Sequence, residues 1–86
     1  MIITSKVTPE NKAKAEAEAE RLGWELKDIR MLTDHPADKY LMVAISWIPE
    51  KAEHCVHLFN AELNGFFEGY YTKDKASAEK KFIEKR

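Results

Sequence analysis

The sequence predicts an α+β fold with an antiparallel-rich sheet of about five strands and two helices on one face. Three observations lead to this prediction. The 86 residues are enough for one core, so residues 1–86 form a single domain. Several short segments alternate apolar and polar residues with a period of two, which is typical of strands. Alanine-, glutamate- and lysine-rich segments near both ends favour helices, giving the order β-α-β-β-β-β-α.

The first predicted strand is Ile2–Val7, a short β-branched segment. Thr8 then suits a helix N-cap, and a proline follows at the first helical position. The helix Pro9–Leu22 is predicted from residue propensity, because its strict alanine–charge alternation would otherwise suggest a strand. Gly23 ends it as a left-handed cap. The residues predicted to face the sheet are Ala15, Ala19 and Leu22.

Trp24–Thr33 mixes apolar and charged residues and predicts a strand with a bulge. Asp34–Asp38 concentrates turn-forming residues around a proline and predicts a turn. Tyr40–Ile48 is the clearest strand, and it is apolar on both faces. Such a strand is usually central and covered on both sides.

His54–Ala61 is predicted to be the next strand, and Asn64-Gly65 is the strongest hairpin signal in the chain. The strand Phe66–Thr72 follows, with a glycine at position 69 that indicates a bulge or a close backbone approach. Lys73–Arg86 is predicted to be a helix with lysines directed to solvent. Its predicted inward residues are Ala78, Phe82 and Ile83.

With both helices on one face, the other sheet face is predicted to be open and rich in aromatic residues. An open apolar face of this kind meets either a second copy or a partner protein. We therefore expect a homodimer or larger assembly and a protein partner. Since interface anchors tend to be aromatic, the predicted protein-binding residues are Tyr40, Trp47, Phe59, Phe66 and Tyr70.

The residue types suited to catalysis or metal binding are sparse. Cys55 and His57 would point to the same face of a strand and His54 to the other, while His35 lies in a predicted turn. Structural zinc usually needs four ligands in paired spacings, and there is one cysteine here. No glycine-rich phosphate motif occurs either. We expect no metal, no cofactor and no enzymatic activity, so an enzyme using Cys55, His57 or the Asp34-His35 turn is the least favoured interpretation.

Charge and hydropathy bear on the other classes of function. The chain holds 14 basic and 15 acidic residues, a balance that argues against a general nucleic-acid-binding protein. Lys73–Arg86 is locally basic, so a nucleic-acid-associated regulator using this helix is the alternative function. No apolar run reaches the roughly 20 residues of a membrane span. A single cysteine and the absence of a recognisable signal peptide predict a cytoplasmic protein.

The hairpin Asn60–Tyr71 and the spaced Ala78, Phe82 and Arg86 that follow it resemble small proteins of bacteriophages and other mobile elements. The resemblance covers about the last 27 residues, on a hairpin-and-helix signature. It implies a compact accessory protein, and many such proteins bind and block a host defence protein, as anti-CRISPR inhibitors do. The leading prediction is therefore a small non-enzymatic protein-binding module, with a phage-type inhibitory role implied by the resemblance.

Overall fold

The computed structural model describes residues 7–32 and 40–84, which form two helices and a four-stranded sheet. The elements are helix α1, strands β1 to β4 and helix α2, in that order along the chain. The sheet is an antiparallel meander with the spatial order β1-β2-β3-β4. The bounds are α1 Pro9–Arg21, β1 Glu25–Met31, β2 Leu41–Ile48, β3 Glu53–Asn60, β4 Gly65–Thr72 and α2 Lys75–Glu84.

The α+β class is confirmed, and the described sheet has four strands rather than about five. The predicted strand Ile2–Val7 lies outside the described residues except for Val7, which is not in a strand. The predicted turn Asp34–Asp38 also lies outside them. The remaining predicted strands occur at their expected places, each with slightly different ends.

The two helices lie on opposite faces of the sheet, so the prediction of one shared face is wrong. Ala15 of α1 packs with Met42 and Phe59 on what we call the α1 face. Ala78 of α2 packs with Val43 and Val56 on the other, the α2 face. The physical reason is the apolar character of β2 and β3 on both faces, because each face needs a cover. The predicted open aromatic face therefore does not exist in this part of the chain.

Helix α1 begins and ends with the capping groups that the sequence predicts. The Thr8 hydroxyl accepts a hydrogen bond from the Asn11 N–H at 3.1 Å. At the other end Gly23 has φ +79°, which allows the Trp24 N–H to donate to the Ala19 carbonyl at 2.8 Å. This is a Schellman motif, which satisfies the last helical carbonyls and directs the chain toward the sheet. Trp24 is thereby fixed beside the C-terminal end of α1.

Helix α2 is held at both ends by polar contacts. The Asp74 carboxylate accepts hydrogen bonds from the N–H and the hydroxyl of Ser77, which cap the first turn. The Arg30 guanidinium of β1 donates to the Phe82 carbonyl at 3.1 Å and lies over the Phe82 ring. The predicted inward position of Ile83 is wrong, because its side chain is 74% exposed.

Two irregularities interrupt the strand ladder. The pairing of β1 with β2 shifts register between Leu26 and Asp28, as the predicted bulge requires. The pairing of β3 with β4 shifts opposite His57, at Glu68 and Gly69, and Glu68 has φ 54°. The second bulge changes which side chains of β4 share a face, because it breaks the alternation along the strand.

The packing of α1 against the sheet gives a stability prediction. Phe59 is fully buried, so Phe59→Ala should lower the free energy of unfolding by about 3–5 kcal/mol through lost burial and a cavity. The matched change Phe67→Ala, at a ring that is 40% exposed, should cost about 1 kcal/mol or less. Urea denaturation of both variants measures the difference, and equal losses would contradict the assignment of Phe59 to the core.

Candidate functional site

The five predicted protein-binding residues do not form one surface. Phe59 is fully buried under α1, so it is a core residue and not an exposed anchor. Phe66 is partly buried on the same face. Trp47 and Tyr70 belong to the α2 face, by register with His54 and Val56, and Tyr40 precedes β2. The exposed residues that could contact a partner therefore lie on separate surfaces of the molecule.

The most exposed apolar strand is β4, at one edge of the sheet. It follows a turn in which the Asn60 carboxamide accepts hydrogen bonds from the backbone of Glu62 and Leu63. Within the described residues no strand pairs with its outer edge. Exposed large aromatic side chains lie along it: Phe67 at 40%, Tyr70 at 38% and Tyr71 at 50%. Exposed rings on a strand that pairs with no other described strand along this edge make it a candidate template for strand addition.

The opposite edge strand, β1, has a different composition. Four of its seven residues are charged, namely Glu25, Lys27, Asp28 and Arg30. Charges and a bulge are the usual means by which an edge strand avoids pairing with other chains. β4 has a bulge but carries one charged residue, Glu68, among eight. The two edges of one sheet thus differ in their protection against strand addition.

A wide groove of about 810 Å³ lies on the α2 face, along α2 from Lys75 to Ile83. Its floor includes Trp47, Ile45 and Phe82, and the Trp47 ring lies 4.8 Å from the His54 ring, centroid to centroid. Charged side chains of both signs form the rest of its lining: Glu25, Lys27, Asp28, Lys75 and Glu79. The groove places the predicted residue Trp47 at a concave surface, where a partner side chain has access to it.

A smaller cleft of about 260 Å³ lies on the α1 face, between the end of α1 and β4. Trp24, Phe66 and Tyr71 form aromatic walls, and His57 lines the cleft with them. The His57 and Phe66 rings are 4.1 Å apart, edge to face. Sequence reasoning did not find this cleft. The signal that could have indicated it is Trp24 directly after the Gly23 cap.

Ser46 and His57 form a buried polar pair beneath these rings. The Ser46 Oγ and the His57 Nε2 lie 2.9 Å apart, and both residues are at most 1% exposed. Burial lowers the pKa of His57 to about 4, so the imidazole is neutral at pH 7. A serine beside a histidine base is the arrangement of a nucleophile. Here no substrate can reach the hydroxyl, and within the described chain no acidic residue orients the histidine.

Cys55 is also buried and is not an activated thiol. Burial raises its pKa to about 11, while a hydrogen bond from the Tyr71 side chain opposes the shift. A thiol with a raised pKa holds little thiolate at neutral pH, and the thiolate is the reactive form. Burial likewise raises the pKa of Tyr71. The two side chains therefore contribute packing and a hydrogen bond rather than reactivity.

The described residues bring together no group of three or more histidine, cysteine or acidic side chains suited to a metal ion. Cys55 and His57 do share the α1 face, as predicted, while His54 is on the α2 face. His35 lies outside the described residues. The absence of a metal requirement stays a prediction.

Comparison with known proteins identifies no relative of this chain. No protein-family model, curated protein or solved structure matches the chain. In residues 7–32 and 40–84, neither helix has the length and apolar character needed to cross a membrane. The candidate sites are therefore the β4 edge, the wide groove and the aromatic cleft.

The neutral, buried His57 predicts how stability depends on pH. Its folded pKa of about 4 lies below the ordinary value of 6.5, so the unfolded chain takes up the proton first. The contribution of the neutral His57 to the free energy of unfolding is complete above pH 6.5, and it is lost as the pH falls toward 4. Between pH 7 and pH 5 the free energy of unfolding should fall by about 2 kcal/mol. Urea denaturation at a series of pH values measures this loss.

Two variants assign the loss to one histidine. His57→Gln should flatten the dependence in this window, whereas His54→Gln, at a less buried position on the same strand, should retain it. An NMR titration of the His57 ring in the native protein provides a test that needs no substitution. A midpoint near 6.5, or a wild-type stability that does not change between pH 7 and pH 5, would contradict the prediction.

Proposed function

We propose that this protein is a non-enzymatic protein-binding module that assembles through the outer edge of β4, with a second copy of itself as the occupant. The observation that carries the proposal is the exposed aromatic composition of this edge strand. Partner addition along an edge gains affinity from main-chain hydrogen bonds and specificity from the alternate side chains. The β1 edge is charged, and charged side chains on an edge oppose strand addition, so β1 is not the docking strand.

The register of β4 supports pairing with a second copy. Phe66 and Tyr71 belong to the α1 face, and Phe67 and Tyr70 belong to the α2 face. The bulge at Glu68 and Gly69 causes this distribution, because it interrupts the alternation of side chains between Phe67 and Tyr70. A two-fold axis at the bulge places Phe66 opposite the second copy's Tyr71. It also places Phe67 opposite the second copy's Tyr70. Cross-strand aromatic pairs of this kind contribute about 0.5–1.5 kcal/mol each beyond their buried area.

The same pairing has one electrostatic cost. It brings Glu68 of each copy next to the two-fold axis, and like charges on neighbouring strands are destabilising. The cost is limited because the register places each Glu68 opposite Gly69, which has no side chain. The aromatic pairs on both sides of the axis offset it, so we expect a dimer at micromolar concentration.

The wider role follows from the same assembly. A dimer presents two copies of the groove that contains Trp47, which makes the groove a candidate surface for a second protein. Inhibition of a host defence protein remains the prediction drawn from the resemblance of the C-terminal hairpin and helix. A cytoplasmic location also remains a prediction.

The alternative, nucleic-acid binding through the C-terminal helix, has less support. In its described part α2 carries three lysines and two glutamates, a nearly balanced charge. Lys81 lies over the Tyr70 ring, with its Nζ 5.3 Å from the ring centroid. Phosphate binding depends on a concentration of basic residues and weakens steeply with salt. The described helix face does not have that concentration.

Sedimentation equilibrium of the native protein and two lysine variants tests the β4 edge. Phe67→Lys with Tyr70→Lys should raise the dimer dissociation constant at least tenfold, because charged side chains on an edge oppose strand pairing. Tyr40→Lys is the matched control, since this tyrosine is 40% exposed and precedes β2 instead of belonging to β4. It should leave the constant unchanged.

Circular dichroism must show that each variant keeps the native fold. A native protein that sediments only as a 10 kDa species throughout the micromolar range would contradict the proposal. Equal effects of the β4 and Tyr40 variants would do so as well.

A further inference from the structure

The turn between β3 and β4 contains the pair Asn64-Gly65, whose chemistry the proposed assembly does not use. We propose that Asn64 is a site of spontaneous deamidation, where the side-chain amide is converted to aspartate or isoaspartate with loss of ammonia. The inference depends on the exposure and backbone conformation of Asn64 and on the space beside Gly65. It also depends on the contrast with the two other asparagines of the chain, Asn11 and Asn60.

The reaction is an attack by the Gly65 main-chain nitrogen on Cγ, the side-chain carbonyl carbon of Asn64. A solvent base takes the proton of the Gly65 N–H group, the N–Cγ bond forms and the Cγ–Nδ2 bond breaks. The Nδ2 group takes up a proton from water and leaves as ammonia, and a cyclic imide remains. Water then opens this ring at either carbonyl carbon, which gives aspartate or isoaspartate. Water is the only co-reactant, and asparagine is thermolabile for this reason.

Asn64 lies at the tip of the hairpin, in a backbone conformation that suits asparagine. Its φ is 56°, in the left-handed region that asparagine populates more often than most residues. The residue is exposed, and its neighbour Leu63 is 78% exposed. Within the described part of the chain, no hydrogen bond holds the Asn64 carboxamide. The side chain can therefore rotate toward the Gly65 nitrogen when the tip opens, and exposed loop tips open at little cost.

Gly65 removes the usual obstacle to ring closure. A side chain on the residue after asparagine crowds the attacking nitrogen, and glycine has no side chain. The structure also has open space here, because a Cβ atom added at Gly65 would meet no heavy atom within 4 Å. Among the described glycines, a left-handed φ occurs at Gly23 and not at Gly65. Alanine therefore fits at position 65 without strain, so the effect of crowding can be measured in the native fold.

Asn60, at the other end of the same turn, is held in a geometry that opposes the reaction. Its carboxamide oxygen accepts hydrogen bonds from the N–H groups of Glu62 and Leu63 at 2.9 and 3.0 Å. The nitrogen that would attack belongs to Ala61, which is 3% exposed. That N–H donates to the Tyr40 carbonyl at 2.9 Å. Both reacting groups of this asparagine are therefore already engaged.

Asn11 is protected by the helix that contains it. It lies in the first turn of α1, and its own N–H donates to the Thr8 hydroxyl. The following N–H, of Lys12, donates to the Thr8 carbonyl at 2.9 Å. An attack by this nitrogen would break the first hydrogen bond of the helix, so the folded chain opposes it.

Conversion of Asn64 changes the turn in charge and in length. Either product adds a negative charge. Isoaspartate also routes the main chain through Cβ, which adds an atom to a turn whose ends pair at Asn60 and Gly65. Since loop length fixes the register of a hairpin, the isoaspartate form should melt at a lower temperature than the native protein. Aspartate keeps the chain length and tolerates a left-handed φ, so the variant Asn64→Asp should not show this loss.

The test is incubation of the native protein at mildly alkaline pH, followed by mass spectrometry with fragmentation that assigns each change to one residue. Asn64 should convert about tenfold faster than Asn60 or Asn11, because only its attacking nitrogen belongs to a glycine. Gly65→Ala should slow the conversion of Asn64 by a similar factor. Leu63→Ala is the matched control on the other side of Asn64. It leaves the attacking nitrogen unchanged and should leave the rate unchanged.

Circular dichroism before incubation establishes that each variant has the native fold. Equal conversion rates at the three asparagines would overturn the proposal, as would an unchanged rate in Gly65→Ala. A third contrary result is an Asn64 that stays intact in the native protein while the chain unfolded in urea converts, because the folded turn would then prevent the attack. None of these measurements depends on the oligomeric state, so their outcome is separate from that of assembly through β4.

Discussion

The two central strands of the sheet are apolar on both of their faces, and the rest of the fold depends on covering them. Met42 and Phe59 project to one side, while Val43 and Val56 project to the other. Leaving either layer in water would forfeit roughly 25 cal/mol for every Å² of apolar surface. In the described part of the chain two helices meet this requirement, with one helix on each face. The positions of Trp24, Arg30 and the clefts follow from that arrangement.

Because the helices cover both faces of the sheet, the strands are exposed mainly at its two edges, β1 and β4. A small domain buries a limited fraction of its chain, so association is a common way to add burial. In this molecule the charged residues are concentrated at β1 and the aromatic residues at β4. The two edges therefore differ in how they affect strand addition, because the charged side chains oppose it at β1 and the aromatic side chains favour it at β4. A two-fold assembly uses the favourable side once and then has only protected edges.

The sequence was sufficient for most elements and insufficient for their arrangement. Residue propensity located both helices, capping residues marked the ends of the first, and the period of two located four strands, because those signals are local. The doubly apolar Tyr40–Ile48 segment even indicated that both faces need cover. The faces of the two helices could not be read in the same way, since that choice depends on contacts between residues far apart in the chain.

The site was harder to predict than the fold for the same reason. Phe59 looks like an exposed anchor in sequence because its strand alternates apolar and polar residues, yet the α1 alanines cover it completely. Trp24, Phe67 and Tyr71 were missed. Their importance arises from a helix cap and a bulge that bring distant rings together. The positions of the aromatic side chains relative to one another therefore required the three-dimensional structure.

The contact between Arg30 and the end of α2 also has a consequence for the folding pathway. Every strand pairs with its neighbour in sequence, so the sheet can grow by local hairpins at little loop-closure cost. The Arg30–Phe82 hydrogen bond joins residues 52 positions apart and needs α2 to span the finished sheet. Contacts that form after the rate-limiting step govern the unfolding rate more than the folding rate. We therefore expect the loss of this hydrogen bond to change the unfolding rate more than the folding rate.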